Sequence, residues 1–260
     1  DHMTQHGTRV TRGLPAIISS IMVLSFASAH AQTSDWAGTG FVTIGGGTQS
    51  SNQAFKSTKS VMKYGELAEF ETDYSSRNGA ILDVSAGIRV WQKLAFSVGV
   101  SLFESQDNIS GQGTIPNPLF IGRPRTVTFE GASFQHRQLG IHLSIVYVIP
   151  LSERIRVSVF GGPTLFRLNQ DIVEDLQLGP ETGAPFFNTV DVQSAVATSV
   201  TQAGIGGHFG FDGTYLLTSQ LGVTGIFRFS GGSVELLDGN STIPVDVGGP
   251  QLSGGLRLFF

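Results

Sequence analysis

Residues 137–150 read RQLGIHLSIVYVIP. Leu139, Ile141, Leu143, Ile145, Tyr147 and Ile149 alternate there with Gln138, Gly140, His142, Ser144, Val146 and Val148. A period of two over such a length is that of a β-strand with one apolar face. The same alternation returns in WAGTGFVTIG (36–45), AILDVSAGIRV (80–90), AFSVGVSLF (95–103), RIRVSVFGGPTLF (154–166), QAGIGGHFGFDGTY (202–215), GVTGIFRFS (222–230) and QLSGGLRLFF (251–260). Together these make eight expected strands.

Their connections are unequal. WQKL (91–94), PLSER (150–154) and LLTSQ (216–220) are short, whereas about residues 47–79, 105–136, 168–198 and 231–248 are long. Short and long alternate, so every long loop falls at one end of an up-and-down array and both termini at the other. The expected fold is all-β: an eight-stranded antiparallel up-and-down transmembrane β-barrel, closed on itself. The first or second long loop has room for a further hairpin.

The choice between a soluble and a membrane barrel turns on which face is outside. A soluble barrel needs Lys and Glu on its wet strand face, yet Lys56, Lys59 and Lys63 fall in the first long loop and Lys93 in a turn, so no lysine is expected in a strand body. The polar face is small, with Gly204, Gly206, Gly210, Ser253 and Gly255, which suits the cramped lumen of eight strands. Trp36, Trp91, Tyr147, Tyr215 and Phe260 gather at the short-turn end, as an interfacial aromatic belt does. The apolar face is therefore read as facing lipid.

Composition agrees with this. The chain has 34 glycines, no cysteine and only 14% charged residues, which removes disulfide and thiolate chemistry and fits neither a charged disordered chain nor a helical one. At its start, Arg9 and Arg12 precede an apolar run from Leu14 to Ala27 and then Ala29-His30-Ala31, the pattern of a signal peptide cleaved after Ala31. The expected division is a signal peptide over 1–31, with Asp1 and His2 a remnant ahead of the first Met, and a barrel over 32–260. With a formal charge of −4, the chain gives no reason to expect a nucleic-acid partner.

The last strand places Leu252, Leu256, Leu258 and Phe260 on one face, with Gly254 as the gap. This ending resembles the C-terminal signature of bacterial outer-membrane barrels that the barrel assembly machinery reads. Taken whole, residues 32–260 resemble the small eight-stranded outer-membrane barrels of the OmpA, OmpX and opacity-protein type. The resemblance implies a bacterial outer-membrane location with both termini periplasmic, outer-membrane lipid and lipopolysaccharide as surroundings, a non-enzymatic role and no cofactor. The chain stops at the barrel, so the peptidoglycan-binding domain that some of those proteins carry is not expected.

Asp83, Arg89, His142, Arg156, His208, Asp212, Arg228 and Arg257 fall on the lumen side. Arg89, Arg156, Asp212 and Arg257 are expected in a layer at the short-turn end, with His142 and His208 nearer the middle. Charges in so small a lumen need partners, and Asp212 is expected to pair with Arg156 on the neighbouring strand. The alternative use of the same residues is a narrow ion or solute path.

A third reading tests His142-Leu143-Ser144 as base and nucleophile on one strand face. It is similar to the outer-membrane lipid A deacylases, whose site faces lipid; here parity puts both residues in the lumen, with no acidic third member. His208 and Asp212, four strand residues apart, are separated by roughly 13 Å. No zinc-type cluster is present, and the glycines at 45–47 lack the lysine and helix of a phosphate loop. Binding of a surface ligand would fall to the long loops, which carry KSTKSVMKYGELAEFETDY (56–74), RPR (123–125) and DIVEDLQLGPETGAPFF (171–187), unless their aromatic residues belong to strand extensions that pack on one another.

Overall fold

The computed structural model describes residues 38–51, 54–238 and 241–260. The expected signal segment and Trp36 lie outside the described residues. The elements are β1 (Gly40–Gln49), β2 (Ala54–Lys63), β3 (Glu66–Ser75), β4 (Gly79–Trp91), β5 (Leu94–Ile115), β6 (Arg125–Pro150), β7 (Ile155–Thr182), β8 (Thr189–Leu216), β9 (Leu221–Asp238) and β10 (Ser241–Phe259). Antiparallel pairing runs β1–β4–β5–β6–β7–β8–β9–β10 and returns to β1, so eight strands close the ring. The seam sets Phe41 opposite Phe259 and Gln49 opposite Gln251.

The first long connection contains a hairpin, β2–β3, turned at Tyr64 and Gly65, both at positive φ as a two-residue hairpin turn requires. β3 pairs with the far half of β5, from Glu69 opposite Thr114 to Ser75 opposite Asn108, while β4 pairs with its near half. β2 carries Lys56, Lys59 and Lys63, so lysine does occur in a strand, contrary to the sequence reading; that strand stands outside the ring. The other long connections are mostly strand as well, because inward apolar residues continue at alternate positions there, with the count shifted at bulges in β6 and along the β7–β8 pair.

We call the short-turn end proximal and the long-hairpin end distal. The strand parity read from sequence holds in β6, where His142, Ser144 and Val146 are buried and Ile141, Leu143, Ile145 and Tyr147 face outward. Ile145 is 61% exposed and Trp91 72%, values that only a lipid surrounding makes inexpensive across a whole wall. Lumen glycines have a steric reason: a Cβ on Gly255 would lie 2.2 Å from the Ile44 carbonyl oxygen, and one on Gly206 2.1 Å from that of Gly231.

The interior has three storeys. Phe41, Ala95, Val146, Val148, Leu216 and Phe259 close the proximal end. A polar layer follows. Above it Phe70, Tyr74, Phe129, Phe166, Leu168, Val234 and Leu236 belong to a distal apolar core.

Candidate functional site

The polar layer is built from inward positions of all eight ring strands. Asp212 (β8) accepts from Arg257 (β10) through both oxygens, Nη1 to Oδ1 at 2.7 Å and Nη2 to Oδ2 at 3.0 Å. Arg257 also donates to Thr43 Oγ1 at 2.9 Å and lies over the Phe41 ring, 4.9 Å from its centroid. The expected pairing of Asp212 with Arg156 is therefore replaced. In the β7–β8 register Asp212 stands opposite Ser158, and Arg156 opposite Thr214 one step nearer the proximal end. Arg257 reaches Asp212 across the lumen, a contact that neighbour-strand reasoning does not consider. Arg156 instead sits 4.7 Å over the Phe259 ring, where its Nη1 has no hydrogen-bond partner among the described residues. Arg89 is half-buried at the proximal end of β4.

A second ion pair crosses the lumen from Arg228 (β9) to Asp83 (β4), both buried. Arg228 also donates through Nε to Gln251. Distal to it, Gln251 donates to Gln49 Oε1 at 2.7 Å, Gln49 donates to Gln138 at 3.4 Å, and His136 bonds to both Gln138 and Gln170. These neutral partners were absent from the list of charged candidates. Their signal in sequence is position alone, since Gln49, Gln138, Gln170 and Gln251 all occupy inward parity sites.

His142 and His208 lie in the middle, as expected, with ring centroids 4.9 Å apart. His142 bonds to Ser101 Oγ at 2.8 Å and Thr164 Oγ1 at 2.9 Å; His208 bonds to Ser144 Oγ and to the same Thr164, each at 2.8 Å. The His142–Ser144 pair tested as base and nucleophile is not formed: Ser144 bonds to His208 instead. Side chains two apart on a strand stand side by side, and each reaches across to β5, β7 or β8 instead. The run Ser101–His142–Thr164–His208–Ser144 is buried throughout. The free space among His142, Ser144, Asp83, Asp212, Arg228 and Arg257 amounts to about 30 Å³, room for one or two waters. Among the described residues no group of three or more His, Asp or Glu side chains converges as metal ligands would.

The distal end is a second candidate. Three hairpin tips knit together there: Tyr64 donates to Glu181 at 2.9 Å, Lys63 pairs with Asp175 at 2.9 Å, and Arg125 pairs with Glu181. Asn117 donates to the Phe186 and Phe187 carbonyls at 3.0 and 3.2 Å, and Gly122 N–H donates to Glu66. The hydrogen bond from Arg125 holds the Glu181 carboxyl below the usual carboxylate range, against the opposing effect of burial. Outward from this knot stand Leu119, Ile121 and Phe186, all exposed, with Arg123 stacked on Phe120 at 5.8 Å.

Between β10 and Phe55 lies a crevice of about 560 Å³. It opens because β1 leaves β10 after Gln49, and from Gly249 to Ser241 β10 pairs with β9 alone. Pro244 and Pro250 on this edge lack an N–H and blunt it against strand addition.

The expected interfacial aromatics Trp91, Tyr147 and Tyr215 all face outward near the proximal turns, and Leu256, Leu258 and Phe260 face outward on the closing strand. No family model matches the chain, and no curated protein matches it. Among solved structures it is similar to the outer membrane protein OprG from Pseudomonas aeruginosa, with 14% identity over 85% of this chain and 95% of that one and a TM-score of 0.46. It is similar to Neisserial surface protein A at 15% identity, over 85% and 97% of the two chains, with a TM-score of 0.39. The outer membrane protease OmpT from Escherichia coli aligns at 11% identity over 85% and 97%, with a TM-score of 0.48. By the pairing of its own strands the protein is an all-β barrel of eight antiparallel ring strands, closed between β1 and β10.

Proposed function

We propose that the protein is an integral outer-membrane barrel that acts through its distal extension, as a structural or surface-interaction protein of the envelope, and not through its lumen. The observation that carries this reading is the packed interior. Two cross-lumen ion pairs, the glutamine cluster and the apolar core above them leave about 30 Å³ in the polar layer. An eight-stranded ring filled by side chains is a pillar. Its outward apolar wall suits lipid, and its knitted tips put exposed Leu119, Ile121 and Phe186 farthest from the proximal end.

The reading is non-enzymatic. The Ser144–His208 and Ser101–His142 contacts are enclosed on all sides, where an acyl chain or peptide has no approach. Leu256, Leu258 and Phe260 would be the residues offered to the barrel assembly machinery during insertion.

The test is a planar-bilayer record of the refolded protein together with protease treatment of intact cells. The expected result is a silent bilayer and cleavage within residues 183–188 from outside. Discrete, reproducible conductance steps would favour the narrow conduit instead.

A further inference from the structure

The distal extension has two edge strands, β2 and the far half of β10, and they are guarded differently. On β10, Pro244 and Pro250 withhold N–H groups. β2 has no proline and pairs with β3 alone. Its two-residue turn makes Lys63 and Glu66 a hydrogen-bonded pair, so Phe55, Ser57, Lys59 and Val61 likewise turn their backbone groups to β3. The N–H and C=O groups of Ala54, Lys56, Thr58, Ser60 and Met62 therefore point to the other side, where no strand partner stands among the described residues. The crevice of about 560 Å³ keeps β10 clear of Ala54 and Phe55 at the base of this edge.

Lysine on an edge normally discourages pairing, but the lysines of β2 are turned away from this one. Lys56 is held on β3 by Glu71 at 2.7 Å and Asp73 at 3.0 Å, and Lys63 on β7 by Asp175 at 2.9 Å. Lys59 lies on the inner face of the strand. The strand is also complementary to itself. Edge-facing residues must oppose edge-facing residues, so the two-fold axis of an antiparallel pair passes through a residue. Centred on Thr58, it sets Thr58 against Thr58, Lys56 against Ser60 and Ala54 against Met62 on the outer face, and Phe55 against Val61 and Ser57 against Lys59 on the inner one. No two lysines then stand directly opposite. Centring on Lys56 or Lys59 would oppose lysine to lysine, and centring on Ser57 or Ser60 shortens the paired stretch. Thr–Thr and aromatic–β-branched pairs are among those that stabilise antiparallel sheets.

We infer that β2 is a self-association edge, which pairs antiparallel with the β2 of a second copy and joins two distal sheets into one. Main-chain hydrogen bonds supply the attachment, as in other strand additions, and the side-chain pairs fix the register. The two-fold axis runs along the sheet normal, so the interface is isologous and each copy gives the same residues. The pairing also reverses the partner's direction. β2 runs from the end of β1 toward the tips, so the partner's ring lies at the far end of the pair, and the two copies belong to facing membranes. The inference rests on the proposed surface role of an outward distal end, and it names the partner met there as another molecule of this chain.

The chain has no cysteine, so single replacements report the register without background. Thr58→Cys sets two thiols opposite one another across the axis, with Cα atoms about 5.5 Å apart, within the reach of a disulfide. Two Ser60→Cys copies hold theirs roughly 13 Å apart along the strands. The refolded full chain in phosphatidylcholine vesicles is mildly oxidised and followed by non-reducing gels and by vesicle clustering in light scattering. The expected result is a linked dimer for Thr58→Cys, little linking for Ser60→Cys alone, and a linked heterodimer when Ser60→Cys vesicles are mixed with Lys56→Cys vesicles. Thr58→Pro removes an edge N–H that the fold does not use. It should lower clustering about tenfold, since symmetry turns one substitution into two lost hydrogen bonds, while its heat-dependent shift on gels persists. Equal linking of Thr58→Cys and Ser60→Cys, clustering that Thr58→Pro leaves unchanged, or linking without clustering would each overturn the proposal. A protein whose tips are cleaved from outside but which links at neither position overturns the self-pairing alone. Tips closed to protease from outside overturn the surface reading as well.

Discussion

In β6, residues 141–147 point Ile141, Leu143, Ile145 and Tyr147 outward and bury His142 and Ser144, whereas residues 125–130 point Thr126, Thr128 and Glu130 outward and bury Val127 and Phe129. Across the β5–β6 bulge, where Asp107 pairs with Phe134 and Ile109 with Gly131, the inward positions pass from even to odd numbers, and the polarity of the two faces reverses. The same inversion occurs in β9, where Arg228 and Ser230 are buried beside outward Phe229, and farther along Val234 and Leu236 are buried beside outward Glu235. The proximal half is built for a wall bathed in hydrocarbon, where polar groups are retained inside and satisfied by one another. The distal half is built as a water-soluble β-protein is, with its apolar side chains gathered in a core. A strand that crosses from one solvent to the other must exchange its faces at the crossing, and this places the boundary near Glu104, Arg137 and Arg167.

The comparison breaks hardest at the buried charge. Asp212→Ala should cost about 3–5 kcal/mol by leaving Arg257 enclosed without its carboxylate. Pairing Asp212→Ala with Arg257→Ala should recover much of that loss. In urea titrations of the vesicle-embedded protein, additive costs for the two changes would mean that the polar layer is wet and the pair unimportant.

The next effect tests the inversion itself. Ile145→Arg should destabilise by about 2–4 kcal/mol if that position faces hydrocarbon, whereas Thr128→Arg, outward on the same strand but beyond the boundary, should stay within about 0.5 kcal/mol. Equal costs would show that both positions see the same solvent.

Within the distal core, Tyr74 buries its ring and accepts a hydrogen bond from Val173 N–H at 2.7 Å, with Phe55 stacked on it at 4.4 Å. Tyr74→Phe keeps the stack and orphans that N–H, a cost of about 1–3 kcal/mol. Hydrogen exchange at Val173 should accelerate while exchange in the proximal ring is unchanged.

The smallest effect is confined to the tips. Glu181 is held below its ordinary titration range by Arg125, so its contribution is present above the unfolded value of about 4.3 and fades as pH falls through the lower folded value. Between neutral pH and about pH 3, protease cleavage at 183–188 should quicken in the parent. Glu181→Gln should show raised cleavage at neutral pH and a weaker dependence on pH. An unchanged profile would mean that the Arg125 pair does not hold the tips together.

What the sequence determined by itself was parity. A two-residue period is a local property, so the eight ring strands, the outward Ile145, Tyr147, Leu256 and Phe260, and the inward His142, Asp212 and Arg257 could all be read from spacing. The distal core was legible in part, since Val234 and Leu236 keep the inward parity of Arg228 beyond the boundary, whereas the bulge in β6 shifts Val127 and Phe129 to the other parity; long connections read as loops concealed it. What only the tertiary structure decided was partnership. Asp212 finds Arg257 and not Arg156, Ser144 finds His208 and not His142, and β3 takes the distal edge of β5 that β4 does not reach. Each of these depends on which side chain stands opposite across a closed lumen or beside a strand far away in sequence. That follows from the stagger with which the ring closes, a global quantity that no single strand encodes.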